Sequence, residues 1–180
     1  TTNGAFNLQL TAGTGTNTFT GAVGSATPIG TGTGAALTIN SGATTFNSTL
    51  ATASGITSSA DVTFKDNVTI AAGNTATTLN ANTTLNKAAG LTFTAAGDVT
   101  FGDAGTDQVT LTGGPVSITT AAANKNQVYN ALVDGAQDLT LAAGTGSITF
   151  NATVGGVTRL GALTITSANN VTESAGLTAT

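Results

Sequence analysis

The 180-residue sequence contains no cysteine, methionine, tryptophan or histidine, and few charged residues. Without cysteine, it has neither a disulfide framework nor a thiolate site. Four basic and eight acidic residues give a net charge of −4, which argues against a basic nucleic-acid surface and against a polybasic membrane patch. No apolar run is long enough to span a membrane, and no secretory leader is visible.

Low charge does not make this a disordered sequence. Charged residues are 7% of the chain, whereas about 25% is usual for a globular domain. Disordered chains are normally rich in charge and poor in Val, Ile, Leu and Phe. Here hydrophobic residues reach 39% and recur at regular positions, so the composition favours a folded chain whose surface is covered by Thr, Ser and Asn.

Short triplets of an apolar residue, a hydroxyl residue and a second apolar residue recur along the chain. Alternation with a period of two, rich in β-branched residues, is typical of strands buried on one face. The outer residues of each triplet are predicted to point inward and the central Thr or Ser outward. No helical period of useful length is present; a segment such as 121–132 could form a helical turn or two, but it lacks a continuous apolar face. The clearest triplets are Leu37–Ile39, Val62–Phe64, Val68–Ile70, Leu91–Phe93, Val99–Phe101, Val116–Ile118, Leu139–Leu141 and Leu163–Ile165.

The spacing of the triplets predicts how they are arranged. Those that begin at Leu91, Val116, Leu139 and Leu163 are 25, 23 and 24 residues apart. About 24 residues with two or three strands is the size of one coil of a parallel β-helix, also called a β-solenoid. About seven such coils, stacked about 4.8 Å apart, give an all-β rod about 35 Å long.

A long internal repeat overlies this short period. The segment Leu8–Gly30 returns at Leu139–Gly161, offset by 131 positions, and the match resumes at Ala36 and Ala162 with the offset reduced to 126. The five-residue difference, Thr31–Ala35, is predicted to be an insertion at a coil corner. We therefore expect residues 1–180 to be a single solenoid segment of a longer array, with a unit of 131 residues and a second copy starting near residue 139.

The repeat leads to two further expectations. If successive units stack in register, each should contain a whole number of coils, five or six. Neither terminus shows the polar cap that normally covers the ends of a solenoid. We therefore expect the ends to meet other coils, in a longer chain or by end-to-end stacking of copies.

Scattered acidic residues are the only candidates for catalysis. Asp61 and Asp66 could lie close together at a corner, as could Asp134 and Asp138, and enzymes on β-helices need clustered carboxylates or basic groups. However, Asp is also a common turn residue that hydrogen-bonds nearby backbone. We therefore predict turn positions for all four, no catalytic residues, and a chain that is not an enzyme.

A calcium site is the next candidate. The segment Gly102–Asp107 resembles the Gly/Asp loops that bind calcium between coils. Such a site needs the motif in consecutive coils, so that carboxylates from two turns share an ion. The motif occurs once, so we predict no metal site and no cofactor.

Three other features have simpler interpretations. Thr-x-Thr pairs could match an ice lattice, but those at Thr92, Thr110 and Thr164 are 18 and 54 residues apart, so we predict ordinary exposed strand threonines. Tyr129 is predicted to fill the core rather than a surface loop. Glycosylation sequons occur about as often as composition alone predicts, at Asn47, Asn67, Asn82, Asn151 and Asn170.

Four segments resemble the repeats of giant bacterial surface proteins, namely filamentous-haemagglutinin-like adhesins and related β-strand-repeat exoproteins: Val133–Leu141, Gly144–Phe150, Val154–Gly156 and Leu160–Thr166. The resemblance implies a right-handed β-helix, secretion across the outer membrane, and a role in adhesion or in a fibrous coat. It supplies no functional residues for this chain.

Together these observations predict an extracellular structural protein. We expect a segment of a filament, stalk or coat, or else the shaft of an adhesin whose binding site lies elsewhere. A carbohydrate-active β-helix enzyme is the third hypothesis. The expected partners are the protein itself and surface carbohydrate or a host or neighbouring cell, with no nucleic acid and no transmembrane segment.

Overall fold

The computed structural model describes residues 1–72 and 75–180, and its short strands form three parallel sheets. Sheet 1 contains β1 (Leu8–Thr11), β3 (Leu37–Ser41), β6 (Ile56–Ser58), β9 (Thr77–Leu79), β12 (Val99–Phe101), β15 (Gln127–Tyr129), β18 (Ser147–Phe150) and β20 (Asn170–Glu173). Sheet 2 contains β2 (Asn17–Phe19), β4 (Thr44–Phe46), β7 (Val62–Phe64), β10 (Thr83–Asn86), β13 (Gln108–Thr112) and β16 (Leu132–Asp134). Sheet 3 contains β5 (Leu50–Thr52), β8 (Val68–Ile70), β11 (Leu91–Ala95), β14 (Val116–Thr119), β17 (Leu139–Ala142) and β19 (Leu163–Ser167).

The chain visits sheets 1, 2 and 3 in turn, so each coil has three sides. Along sheet 1, seven steps of strand pairing lead from Gln9 to Thr172. These steps span 172 − 9 = 163 residues, or about 23 per coil. The predicted β-solenoid and the predicted coil length are therefore confirmed.

Alternation within each strand separates the core from the surface. In β7, Val62 and Phe64 are buried while Thr63 between them is half-buried, as the triplet pattern predicts. Successive strands pair with matching residues in register, so inward positions form columns along the axis. The coils thus share one continuous hydrophobic core.

Aromatic rings form an unbroken series of contacts through this core. The rings of Phe19, Phe46, Phe64, Phe93, Phe101, Tyr129 and Phe150 contact one another in that order, with centroid distances of 4.9 to 5.9 Å. Tyr129 is fully buried in β15, as predicted for a core-filling strand residue.

The expectation of a whole number of coils per repeat unit is wrong. Strand β1 opens the first copy in sheet 1, whereas its equivalent, β17, lies in sheet 3. Likewise, Phe19 lies in sheet 2 and its equivalent, Phe150, in sheet 1. The second copy therefore starts five and two-thirds coils after the first, turned by one third of a coil about the axis.

The local structure is preserved despite this turn. The N–H of Gly24 donates to the Thr2 carbonyl at 2.7 Å, and the N–H of Gly155 donates to the Val133 carbonyl at the same distance. In each copy the chain then leaves the sheet for a short protruding loop, 24–28 or 155–159. It rejoins the neighbouring coil through a bridge at Ile29 or at Leu160. The three sides are equivalent enough for one sequence to fold in the same way on different sides.

The insertion and the helical segment lie at corners. Thr31–Ala35 lies between the bridge at Ile29 and β3, outside the strands, as predicted. The Gly34 carbonyl accepts hydrogen bonds from the hydroxyls of Ser54 and Thr75, which tie the insertion to other coils. The helical turn is one turn of 3-10 helix at Ala121–Ala123.

Candidate functional site

Asp and Asn side chains at the corners connect one coil to the next. Asp61 Oδ1 accepts the Asn82 N–H at 3.2 Å, and Asn82 Oδ1 in turn accepts the Gln108 N–H at 2.9 Å. At another corner, Asp98 Oδ1 accepts the Asn126 N–H at 2.8 Å. Corner N–H groups lie outside the sheet ladders, so these side chains supply acceptors that the backbone does not.

Asp134 is the most buried acid, at 2% exposure. Its Oδ1 accepts the N–H groups of Val157 and Thr158 at 3.0 and 3.1 Å, and its Oδ2 accepts Gln108 Nε2 at 3.1 Å. Three donors satisfy a carboxylate that would otherwise be costly to bury. Asp134 thereby anchors the protruding loop 155–159.

Asp138, which the sequence places beside Asp134, serves a different turn. Its Oδ1 accepts the Ala162 N–H at 2.8 Å. In the first repeat copy both positions are asparagines: Asn3 Oδ1 accepts the Ala26 N–H and Asn7 Oδ1 the Thr31 N–H, each at 3.0 Å. Because an amide makes the equivalent turn bond in the first copy, that bond needs an acceptor oxygen rather than a negative charge.

The second predicted pair, Asp61 and Asp66, also serves two separate purposes. Asp66 forms an ion pair with Lys87 at 2.7 Å, and its hydrogen bond with Lys87 is the main reason why the pKa of Asp66 is lowered. Lys87 Nζ also donates to Asn67 Oδ1 at 3.0 Å, and that oxygen accepts the Thr92 N–H of the next coil. The pair therefore strengthens a corner, whereas Asp61 belongs to another corner ladder.

The loop Gly102–Asp107 is held together by its own side chain. Asp107 Oδ2 accepts the N–H groups of Asp103 and Ala104 at 3.0 and 2.9 Å, which closes a tight turn. Among residues 1–72 and 75–180, no three His, Cys, Asp or Glu residues are grouped so that they could hold a metal ion.

A buried polar network lies in the core, and the sequence analysis did not identify it. Gln127 is fully buried; its Oε1 accepts the Tyr129 hydroxyl at 2.9 Å, and its Nε2 donates to the Ala142 carbonyl at 3.0 Å. Burial raises the pKa of Tyr129, which keeps the phenol protonated. The available signal was a glutamine at an inward triplet position, in the sequence Gln127-Val128-Tyr129, where other triplets carry an apolar residue.

The exposed surface carries hydroxyl groups and a shallow groove. The groove, of about 220 Å³, lies on the outer face of sheet 3 and is lined by the strand residues Thr92, Ser117 and Thr140 and by Ala89, Gly90 and Pro115. Of the sequon residues, Asn47, Asn151 and Asn170 are exposed at the surface. Asn67 and Asn82 instead make the corner hydrogen bonds described above.

No helix within the described ranges is long and apolar enough to cross a membrane. Compared with known protein families, curated proteins and solved structures, the chain shows no match in any of the three.

Proposed function

We propose that this chain is a structural rod segment of an extracellular filament, stalk or coat, without catalytic activity. One observation carries the proposal. Seven of the eight acidic side chains, all except Asp103, accept a backbone N–H and so hold turns or join coils. The groups that hydrolytic or lytic chemistry would require are thus already engaged in holding turns or joining coils.

The continuous core supports the same function. Each inward residue packs against equivalents in the coils on both sides, so stability grows with the number of stacked coils. The apolar columns also reach the last coil, where Val171 and Leu177 continue the columns of Ile148 and Val154 and are 44% and 46% exposed. Such surfaces suit contact with a further coil, which supports stacking on a second copy or within a longer chain.

Electron microscopy with diffraction tests the structural role. Native material that contains this chain should form fibres with an axial repeat of about 4.8 Å, the spacing of stacked strands. Dispersed globular particles would contradict the proposal. The full coding sequence distinguishes two versions of the proposed structural role. One very long reading frame with many such units favours an adhesin shaft. A short reading frame favours a self-assembling subunit.

The hypothesis of a carbohydrate-active enzyme can be tested with substitutions taken from the first copy of the internal repeat. Asp134→Asn with Asp138→Asn reproduces the amides that occupy the equivalent positions in the first copy, so the fold should persist. Polysaccharide cleavage by the wild-type chain that is lost in this double variant would overturn the non-catalytic role. The absence of cleavage by either protein is the expected result.

A further inference from the structure

The outer face of sheet 3 carries a two-dimensional net of hydroxyl groups. Strand pairing places one column of hydroxyl residues at Thr92, Ser117, Thr140 and Thr164. A second column, two residues further along the strands, consists of Thr69, Thr94 and Thr119 and ends at Ala142. The spacing of Thr-x-Thr pairs hides this column, because Ser117 and Thr140 occupy it in the two coils between Thr92 and Thr164.

The dimensions of the net follow from strand geometry. Neighbouring coils place the hydroxyls about 4.8 Å apart, and the two columns are about 6.6 Å apart, two residues along a strand. The pairings of β11 with β14 and of β14 with β17 have no register shift, so the rows stay aligned. Oxygen atoms on the prism face of ice form a rectangular net of comparable proportions.

The chemistry of the face suits ordered water better than other ligands. Within the described ranges, only Thr119 of these seven residues has a hydrogen bond at its hydroxyl, from the Ala121 N–H. Threonine is stiff about χ1 because it is β-branched, so its hydroxyl and methyl groups hold fixed directions. The strands that carry the net contain no charged residue, and their one aromatic ring, Phe93, is buried. The face therefore lacks an exposed ring on which a sugar would stack.

The other two sheets lack this arrangement. Sheet 1 presents a single column in which Gln9 and Val128 interrupt the threonines. Sheet 2 presents one column of threonines that ends at the buried Asp134. We propose that the outer face of sheet 3 binds the surface of ice through its two columns of hydroxyl and methyl groups. This binding site is additional to the structural role and does not depend on it.

Capture of the protein by a slowly growing ice front tests the proposal. The wild-type chain should be enriched in the ice fraction and should shape ice crystals. Ser117→Lys with Thr140→Lys, on adjacent coils of sheet 3, should reduce capture to the level of an inert protein of similar size. The matched control, Thr78→Lys with Thr100→Lys on adjacent coils of sheet 1, should retain wild-type capture.

The remaining outcomes are also decisive. Exclusion of the wild-type chain from ice would overturn the proposal, as would equal loss of capture in the control. Retention on an insoluble neutral polysaccharide without capture by ice would assign the face to a different ligand. Circular dichroism checks the fold of each variant, and Thr92→Lys, at a more exposed position of the same column, repeats the test without disturbing packing.

Discussion

Hydroxyl and amide side chains play different roles depending on the side of the strand on which they lie. Outward threonines such as Thr63 face solvent between two buried apolar residues. Inward polar residues need partners inside the protein, since an unsatisfied buried polar group costs free energy. Gln127 has such partners in Tyr129 and the Ala142 carbonyl. Thus the same substitution should cost much more stability on the inward side of a strand than on its outward side.

The neighbours Phe93 and Thr92 test the assignment of inside and outside. Phe93 is fully buried between the rings of Phe64 and Phe101, so Phe93→Asp should cost several kcal/mol and unfold its coil. Thr92 is exposed, so Thr92→Asp should change the free energy of unfolding by less than about 1 kcal/mol. Denaturant titration compares them, and equal damage from both would contradict the assignment.

A double-mutant cycle tests the buried network. Gln127→Leu and Tyr129→Phe should each destabilise the protein by about 1–3 kcal/mol, because each leaves a buried polar partner unsatisfied. The double variant should cost less than the sum of the two, by roughly 1 kcal/mol, since it removes both partners. Additive losses in urea unfolding would mean that the hydrogen bond of 2.9 Å contributes nothing.

Thr83 offers a stabilising substitution. Its hydroxyl oxygen is buried without a hydrogen-bond partner among the described residues, and its register neighbours are Val62 and Val109. Thr83→Val should therefore raise the free energy of unfolding by about 1 kcal/mol. Thr44→Val is the matched control, because the Thr44 hydroxyl accepts from Asn17 and donates to Gly42. The control should lower stability, and a stabilising effect there would contradict this explanation.

At the scale of elements, the protruding loops show how corners are held. Gly155 begins one loop with φ +69°, and its counterpart Gly24 begins the other with φ +74°. A Cβ atom at Gly155 would overlap the Thr178 carbonyl oxygen of the next coil, and one at Gly24 would overlap that of Ala51. Backbone therefore packs against backbone at both sites, which only glycine permits.

Alanine substitution measures that constraint. Gly155→Ala should destabilise the protein by several kcal/mol, because the left-handed conformation alone costs about 1–2 kcal/mol and the overlap adds to it. Gly105 is the matched control, since a Cβ there would meet no atom within 4 Å. Thermal unfolding should show a large decrease in the melting temperature for Gly155→Ala and almost none for Gly105→Ala. Similar decreases would contradict the close approach.

The strands could be predicted from the sequence, whereas the hydrogen-bond partners of the corner side chains could not. Alternation in triplets such as Val62–Phe64 is a local property, so it predicted the strands, their burial and the coil length. The partners of corner residues depend on the next coil, 21 residues away for Asp61 and Asn82. The structural use of Asp134 and Asp138 could have been inferred by aligning them with Asn3 and Asn7 at the repeat offset.

At the scale of the whole molecule, the repeat and the coil have different periods. The assumption that a unit holds whole coils treats the three sides as different, yet β1 and its copy β17 fold alike on different sheets. Each strand needs a strand with the same apolar alternation in the coil on either side of it. All three sheets supply such neighbours. In a tandem array of such units, a protruding loop would return to the same side only after three units.

Distances between spin labels test this turned stack most directly, because the chain has no native cysteine that would need to be removed. Labels at Gln9 and Val128 lie on one sheet, five strand-pairing steps or about 24 Å apart along the axis. Thr140, the repeat counterpart of Gln9, lies only two-thirds of a coil further, about 3 Å, but on another side of the rod. The distance from Gln9 to Thr140 should therefore exceed the distance from Gln9 to Val128 by clearly more than 3 Å, with both distributions narrow. Two distances that differ by 3 Å or less, or broad distributions for both pairs, would contradict the stack in which the second repeat copy is turned by one third of a coil.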